Sequence, residues 1–161
     1  MVTSTDAEIA AALYDNGGTD TGPGYEASAD YFFDGQRRAA AFDDDHERVA
    51  AIDAQRRQMV GALSDLKFGK RDARELFVAM KGFADYPKAG EQLEALKRES
   101  RKELVRTYGQ RTDRMLAGAR KLMVAMDKRA PGMMAALDNG LGSDLKFTQA
   151  MIRAAKRHGL A

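Results

Sequence analysis

The feature that most limits how this chain can fold is a long helical pattern from about Glu91 to Lys128. Leu93, Leu96, Leu104, Tyr108, Met115, Ala119, Leu122 and Met126 recur along it at steps mixing threes, fours and sevens. About 38 helical residues would extend roughly 57 Å. A helix of that length serves as a coiled-coil strand or as a spine for other helices. Its surface is dense in charge, including Lys97, Arg98, Arg101, Lys102 and Glu103, and its apolar stripe is thin in large side chains. Such a stripe does not stand alone in water, so self-association is expected, with Leu93, Leu96, Leu104, Tyr108, Met115 and Leu122 as the oligomerisation seam. Gly109 and Gly118 lie inside the pattern, and each costs up to about 1 kcal/mol relative to alanine. A bend or break is therefore expected near Gly109.

Composition points the same way. Hydrophobic residues make up 44% of the 161, but many are alanine or methionine, and aromatics are only 7%. The charged share of 31% exceeds the usual quarter or so. Such a chain forms helices readily and buries little per helix, which predicts an all-α, elongated or oligomeric protein. The absence of cysteine excludes disulfides, thiolate metal sites and a cysteine nucleophile. The first residues lack the basic flank and apolar core of a signal peptide, and no stretch approaches the ~18 apolar residues of a membrane-spanning helix. A soluble, cytoplasmic protein without membrane contact is expected.

The net charge of +2 hides an asymmetry. Residues 1–45 hold ten acids against two bases, a net charge of −8, whereas residues 46–161 hold 24 bases against 14 acids, a net charge of +10. An acidic leader before a basic body suits a binder of nucleic acid or of acidic surfaces. The commoner meaning of such charge runs is a solvated, soluble helix surface with a disordered tail.

Three regions follow from the punctuation of the chain: an acidic, largely flexible leader over 1–42, a short helical pair over 43–87, and the long helix with a C-terminal helix-turn-helix hairpin over 88–161. In the leader, Thr5-Asp6-Ala7-Glu8 has the form of a capping box, with Ile9, Leu13 and Tyr14 behind it at helical spacing. The glycine-rich run from Asp15 to Ser28 reads as a linker. Tyr31, Phe32 and Phe33 form the most aromatic spot, either a docking segment for a partner or a piece that folds back on the helices, with fold-back preferred. Asp43, Asp44 and Asp45 stand where the next helix begins, favourable at its positive end. Val49, Ile52, Met59, Val60 and Leu63 stripe one helix, and Leu76, Phe77, Met80 and Phe83 another that ends at Tyr86-Pro87. Near the end, Pro131 suits the first turn of a short helix. That helix stops at Asn139-Gly140, and Ser143 is a candidate N-cap for the last one.

No catalytic constellation is present. His46 and His158 belong to no metal-spaced pair, and the consecutive acids at 43–45 diverge on a helix without a calcium-type loop. There is no nucleophile elbow or phosphate loop. Gly140-Leu141-Gly142 follows a helix rather than a strand, so it is no dinucleotide fingerprint. Neither an enzyme nor a cofactor or metal site is expected. The helical pair invites comparison with a DNA-binding helix-turn-helix, with Lys67, Lys70, Arg71 and Arg74 near its second helix. Its turn is too long, and that helix lacks residues to read base edges.

The segment 108–159 resembles the C-terminal region of head scaffolding (capsid assembly) proteins of tailed bacteriophages. Tyr108-Gly109 stands for the family's aromatic-glycine pair, and Leu116-Ala117-Gly118-Ala119-Arg120 for its L-A-x-A-R stretch. Gly140-Leu141-Gly142-Ser143 matches its G-L-G turn, and the helix bearing Arg153, Lys156 and Arg157 its basic last helix. Tyr108 departs from the commoner Trp, Met115 from Asn, Leu145 from Pro, and Gln149 from a basic or apolar residue. The match covers about a third of the chain. The resemblance implies a self-associating homo-oligomer in a host cytoplasm, acting inside the procapsid. There Arg153, Lys156 and Arg157 would bind the major capsid protein, with the turn setting the angle between that helix and the oligomerising one. The alternatives are a basic helical protein that binds nucleic acid without sequence preference and a general helical adaptor.

Overall fold

The computed structural model describes residues 24–160, and all regular structure among them is helical. The helices are α1 (Glu26–Phe42), α2 (His46–Asp65), α3 (Lys70–Asp85), α4 (Gly90–Tyr108), α5 (Thr112–Arg129), α6 (Met133–Asp138) and α7 (Leu145–Arg157). Short 3₁₀ turns at Gly109–Arg111 and Leu141–Ser143 lead into α5 and α7. The all-α architecture and the long central helical run, 40 residues from Gly90 to Arg129, are as the sequence predicts.

The expected break falls at Gly109, whose φ of +58° is open to glycine at little cost. It bends the run sharply. Arg101 Nη2 reaches Asp113 Oδ1 at 3.1 Å, although residues twelve apart on a straight helix are separated by roughly 18 Å along the axis. The Thr112 hydroxyl closes the turn by donating to the Gly109 carbonyl at 2.6 Å.

The flexible leader expected over 1–42 does not hold for its last part. Residues 26–42 are helix α1, which buries Ala29, Phe33 and Ala40, with Tyr25 buried just before it. The aromatic spot therefore folds back on the body. Phe33 packs edge-on to Phe77 at 6.2 Å between ring centres, and the Tyr25 hydroxyl donates to the Phe68 carbonyl. Burial of an aromatic side chain stabilises by about 1.5–3 kcal/mol, enough to order a segment that its glycines and acids alone would leave loose. The Thr5–Glu8 capping box and the stripe of Ile9, Leu13 and Tyr14 lie outside the described residues.

The pairing of α1 with α2 is antiparallel, laced by Asp30–Arg56 at 2.7 Å and Arg37–Asp53 at 2.9 Å. Against α3, by contrast, α1 runs parallel: Tyr25 meets Phe68 near one end, and Tyr31 lies beneath Lys81 further along. Asp45 caps α2 by accepting from the Arg48 amide at 3.0 Å, which gives one of the three consecutive acids a structural role. Pro131 falls two residues ahead of α6 rather than inside its first turn. The cap there is Asp127, whose Oδ1 accepts from the amides of Gly132 and Met134.

At the centre of the body lies α7. It packs against α5 on one side and α3 on the other, and buries Phe147, Thr148, Ala150, Met151, Ile152, Ala154 and Ala155. The core joins these to Phe68, Leu76 and Phe77 of the helical pair and to Leu122, Met123 and Met126 of α5. The helical pair and the C-terminal hairpin thus share one core.

Candidate functional site

The turn before α7 holds three helices in place. Gly140 has φ +119°, and a Cβ there would lie 3.0 Å from the Phe83 ring and 3.1 Å from Leu93. A side chain at that φ is strained whatever the space, and Phe83 or Leu93 would also have to shift by a few tenths of an ångström. Leu141 is buried, and the Ser100 hydroxyl of α4 donates to the Ser143 carbonyl. The cap of α7 is one residue later than expected. Asp144, not Ser143, accepts from the Phe147 amide at 2.9 Å, while Thr148 Oγ1 donates to the Asp144 carbonyl at 2.8 Å. Asp144→Ala should therefore cost about 1 kcal/mol, read as a lower urea midpoint, whereas Ser143→Ala should stay within about 0.5 kcal/mol.

The three bases expected on an outward basic helix behave differently from one another. Arg153 points into the body. Its Nε donates to Asp72 Oδ1 at 2.7 Å and its Nη2 to Glu75. Asp72 is 1% exposed and sits in the first turn of α3, where the positive end of the helix favours a carboxylate. Burial acts to lower the pKa of the Arg153 guanidinium. The hydrogen bond and charge of Asp72, joined by Glu75, more than offset this and hold it above its ordinary range. Arg157 approaches the other Asp72 oxygen at 3.8 Å and fills the space where a Cβ on Gly69 would lie. Lys156 is exposed and reaches over the Tyr108 ring, 5.6 Å from its centre. His158 contacts the Leu66 carbonyl through Nε2. The structure therefore uses Arg153 and Arg157 to lock α7 against α3 and presents Lys156 outward.

The expected oligomerisation seam divides in the same way. Leu104, Met115 and Leu122 are 4%, 3% and 1% exposed within the chain's own core, so they offer no surface to a second copy. Leu93, Leu96 and Tyr108 are half-buried. The rest of this chain thus covers three of the six fully and the other three in part.

What faces outward instead is a basic side of α5. Arg114, Lys121 and Lys128 recur every seven residues, about 10.5 Å apart along the axis, with Ala117 and Val124 exposed between them. Arg120 is exposed on the same helix. None of these four bases has an ion-pair partner among the described residues. The signal was present in the sequence as a seven-residue repeat of bases, but the apolar repeat on the opposite side of the helix dominates the pattern.

Compared with protein-family models, curated proteins and solved structures, the chain has no match.

The site is thus a set of surfaces. Among the described residues no group of three or more His, Cys, Asp or Glu is placed to hold a metal ion, and no helix is long and apolar enough to cross a membrane. In the buried ion-pair cluster Asp72–Glu75–Arg153, Asp72 Oδ1 and Glu75 bond to Arg153, and Glu75 also pairs with Arg71, while Asp72 Oδ2 has no hydrogen-bond partner and only the Arg157 charge at 3.8 Å. Its chemistry is structural.

Proposed function

We propose that this chain is a scaffolding-type assembly protein, one that self-associates and transiently binds a major capsid protein to direct procapsid formation. The observation that carries the reading is the unpaired basic side of α5, Arg114, Lys121 and Lys128, within the segment that resembles head scaffolding proteins. Exposed charge pairs contribute about 0–1 kcal/mol each and weaken with salt. Several on one rigid helix give contacts that are individually weak and collectively steep in concentration, as a protein that must later leave a shell requires. Of the residues the resemblance assigns to capsid-protein binding, Lys156 is available to join this contact, and Arg153 and Arg157 act by fixing the helix that carries it. The same basic side suits phosphates, so a nucleic-acid-binding role is the competing reading.

Co-expression with candidate coat protein, followed by sedimentation, tests the proposal. Closed shells should require the wild-type chain and fail with Arg114→Glu/Lys121→Glu/Lys128→Glu, whose exposed positions leave folding intact. Shells that form equally well without the chain overturn the reading. Retention of duplex DNA that falls steeply with salt, in a protein without effect on shells, would select the nucleic-acid role.

A further inference from the structure

Phe42, the last residue of α1, is 90% exposed. Its backbone is not loose, because the amides of Asp43 and Asp45 bond back to the carbonyls of Ala39 and Ala40. Asp44 is held at φ +55°, a conformation that residues other than glycine adopt uncommonly, though aspartate more readily than most. Asp45 is committed to capping α2, but the exposed carboxylates of Asp43 and Asp44 take part in no ion pair among the described residues. The corner between α1 and α2 is thus a fixed apolar knob with two carboxylates beside it.

A cleft of about 310 Å³ opens between the C-terminal half of α3 and the start of α7. Val78, Phe83 and Tyr86 line it, with Lys88 and Lys146 at its rim. Val78 is 42% and Tyr86 77% exposed, so apolar surface is left uncovered there. The carboxylates in its wall are already engaged, Glu75 with Arg153 and Asp144 with the α7 cap. The rim is therefore net positive. Lys146 has no ion-pair partner among the described residues, and Lys88 lies over the Phe83 ring.

We propose that a second copy of this chain covers this cleft, with Phe42 of one copy seated between Val78, Phe83 and Tyr86 of the other and Asp43 and Asp44 facing Lys88 and Lys146. Three observations converge on that occupant. The knob is apolar and the cleft has room for a phenyl ring, the flanking charges are opposite in sign, and the exposure of Phe42 shows that it is not seated in its own cleft. Because α1 runs parallel to α3, knob and cleft lie toward one end of the molecule. A two-fold pairing can then fill both clefts at once and close as a dimer. The inference locates the self-association on which the assembly reading rests, and moves it from the long helix to the α1–α2 corner and the α3 cleft.

Sedimentation of the purified full chain over a concentration series tests it without any coat protein. The wild type should dimerise, and Phe42→Ser should weaken the dimer by at least about tenfold, the loss typical of one central aromatic anchor. Its helicity should not change, nor should its melting at concentrations low enough for both chains to be monomeric, since the side chain is exposed in the single chain. Asp43→Lys/Asp44→Asn and Lys88→Glu/Lys146→Glu should each weaken the dimer, and all four changes in one chain should restore most of the loss. A wild type that stays monomeric, or a Phe42→Ser chain that associates as tightly as wild type, overturns the contact. A dimer that Phe42→Ser dissociates, in a protein inert toward coat assembly, would sink the scaffold reading and leave this contact standing.

Discussion

Ending the chain at Ser143 should abolish cooperative folding of the whole body. Helix α7 is thirteen residues long, and seven of them are buried. Phe147, Met151 and Ile152 are each at most 1% exposed, and burying three such side chains stabilises by about 5–9 kcal/mol in total. That is comparable with the entire stability of an ordinary domain, about 5–15 kcal/mol. The truncation also strips cover from Leu76 and Phe77 on α3 and from Met123 and Met126 on α5. Thermal and urea unfolding followed by circular dichroism is the suitable measurement, since the chain has no Trp to report by fluorescence. Expected is a shallow, non-cooperative loss of helicity and collapsed amide dispersion in a proton–nitrogen NMR spectrum. A truncated chain that still unfolds in one sharp transition near the wild-type midpoint would show α7 to be a detachable tail.

This expectation differs from the reading the sequence invites, and the reason is physical. Helix propensity, the break at Gly109, the acids at the start of α2 and the glycine turn at Gly140 are local signals. Each concerns a few neighbouring residues, and each was legible. The role of α7 was not, because its residues read as an apolar side with a basic edge whether the basic edge meets water or meets buried carboxylates. Asp72 lies 81 residues before Arg153, and nothing in either neighbourhood marks the other as its partner. For the leader, Tyr31, Phe32 and Phe33 stand out as aromatics and their fold-back is the preferred sequence reading, but the surface that receives them, around Phe77 on α3, is not marked in their neighbourhood. The apolar residues of the long helix were legible as buried. Whether a second copy or the chain itself buries them is a tertiary question, and Leu104, Met115 and Leu122 go to the chain itself. For the surfaces proposed to act, the basic repeat on α5 was readable as spacing. The exposure of Phe42 was not, since its sequence context is that of any helix end.

Replacing Arg153 should then destabilise the protein strongly, whatever its partners. Breaking a buried ion pair costs about 3–5 kcal/mol, because the remaining charge is left in a poorly solvated site. The lower end applies here: the Arg153 side chain is 33% exposed, and Arg157 already stands 3.8 Å from Asp72. Arg153→Ala should thus cost about 3 kcal/mol, seen as a fall in the urea midpoint with little change in slope. Arg153→Lys should recover only part, since an ammonium cannot span Asp72 and Glu75 as the guanidinium fork does. Combining Arg153→Met with Asp72→Asn removes both charges and should be less harmful than the sum of the single changes, by roughly 1–3 kcal/mol. The pH dependence follows from the direction of the shift. The folded-state pKa of Arg153 is raised, so its contribution is fully present below the unfolded-state value and is lost only as pH rises through the folded one. The difference between wild type and Arg153→Met that comes from this group's own titration should stay flat from neutral to mildly alkaline pH. If Arg153 instead served only as an outward contact for a partner, Arg153→Ala would unfold at the wild-type midpoint and lose partner binding alone.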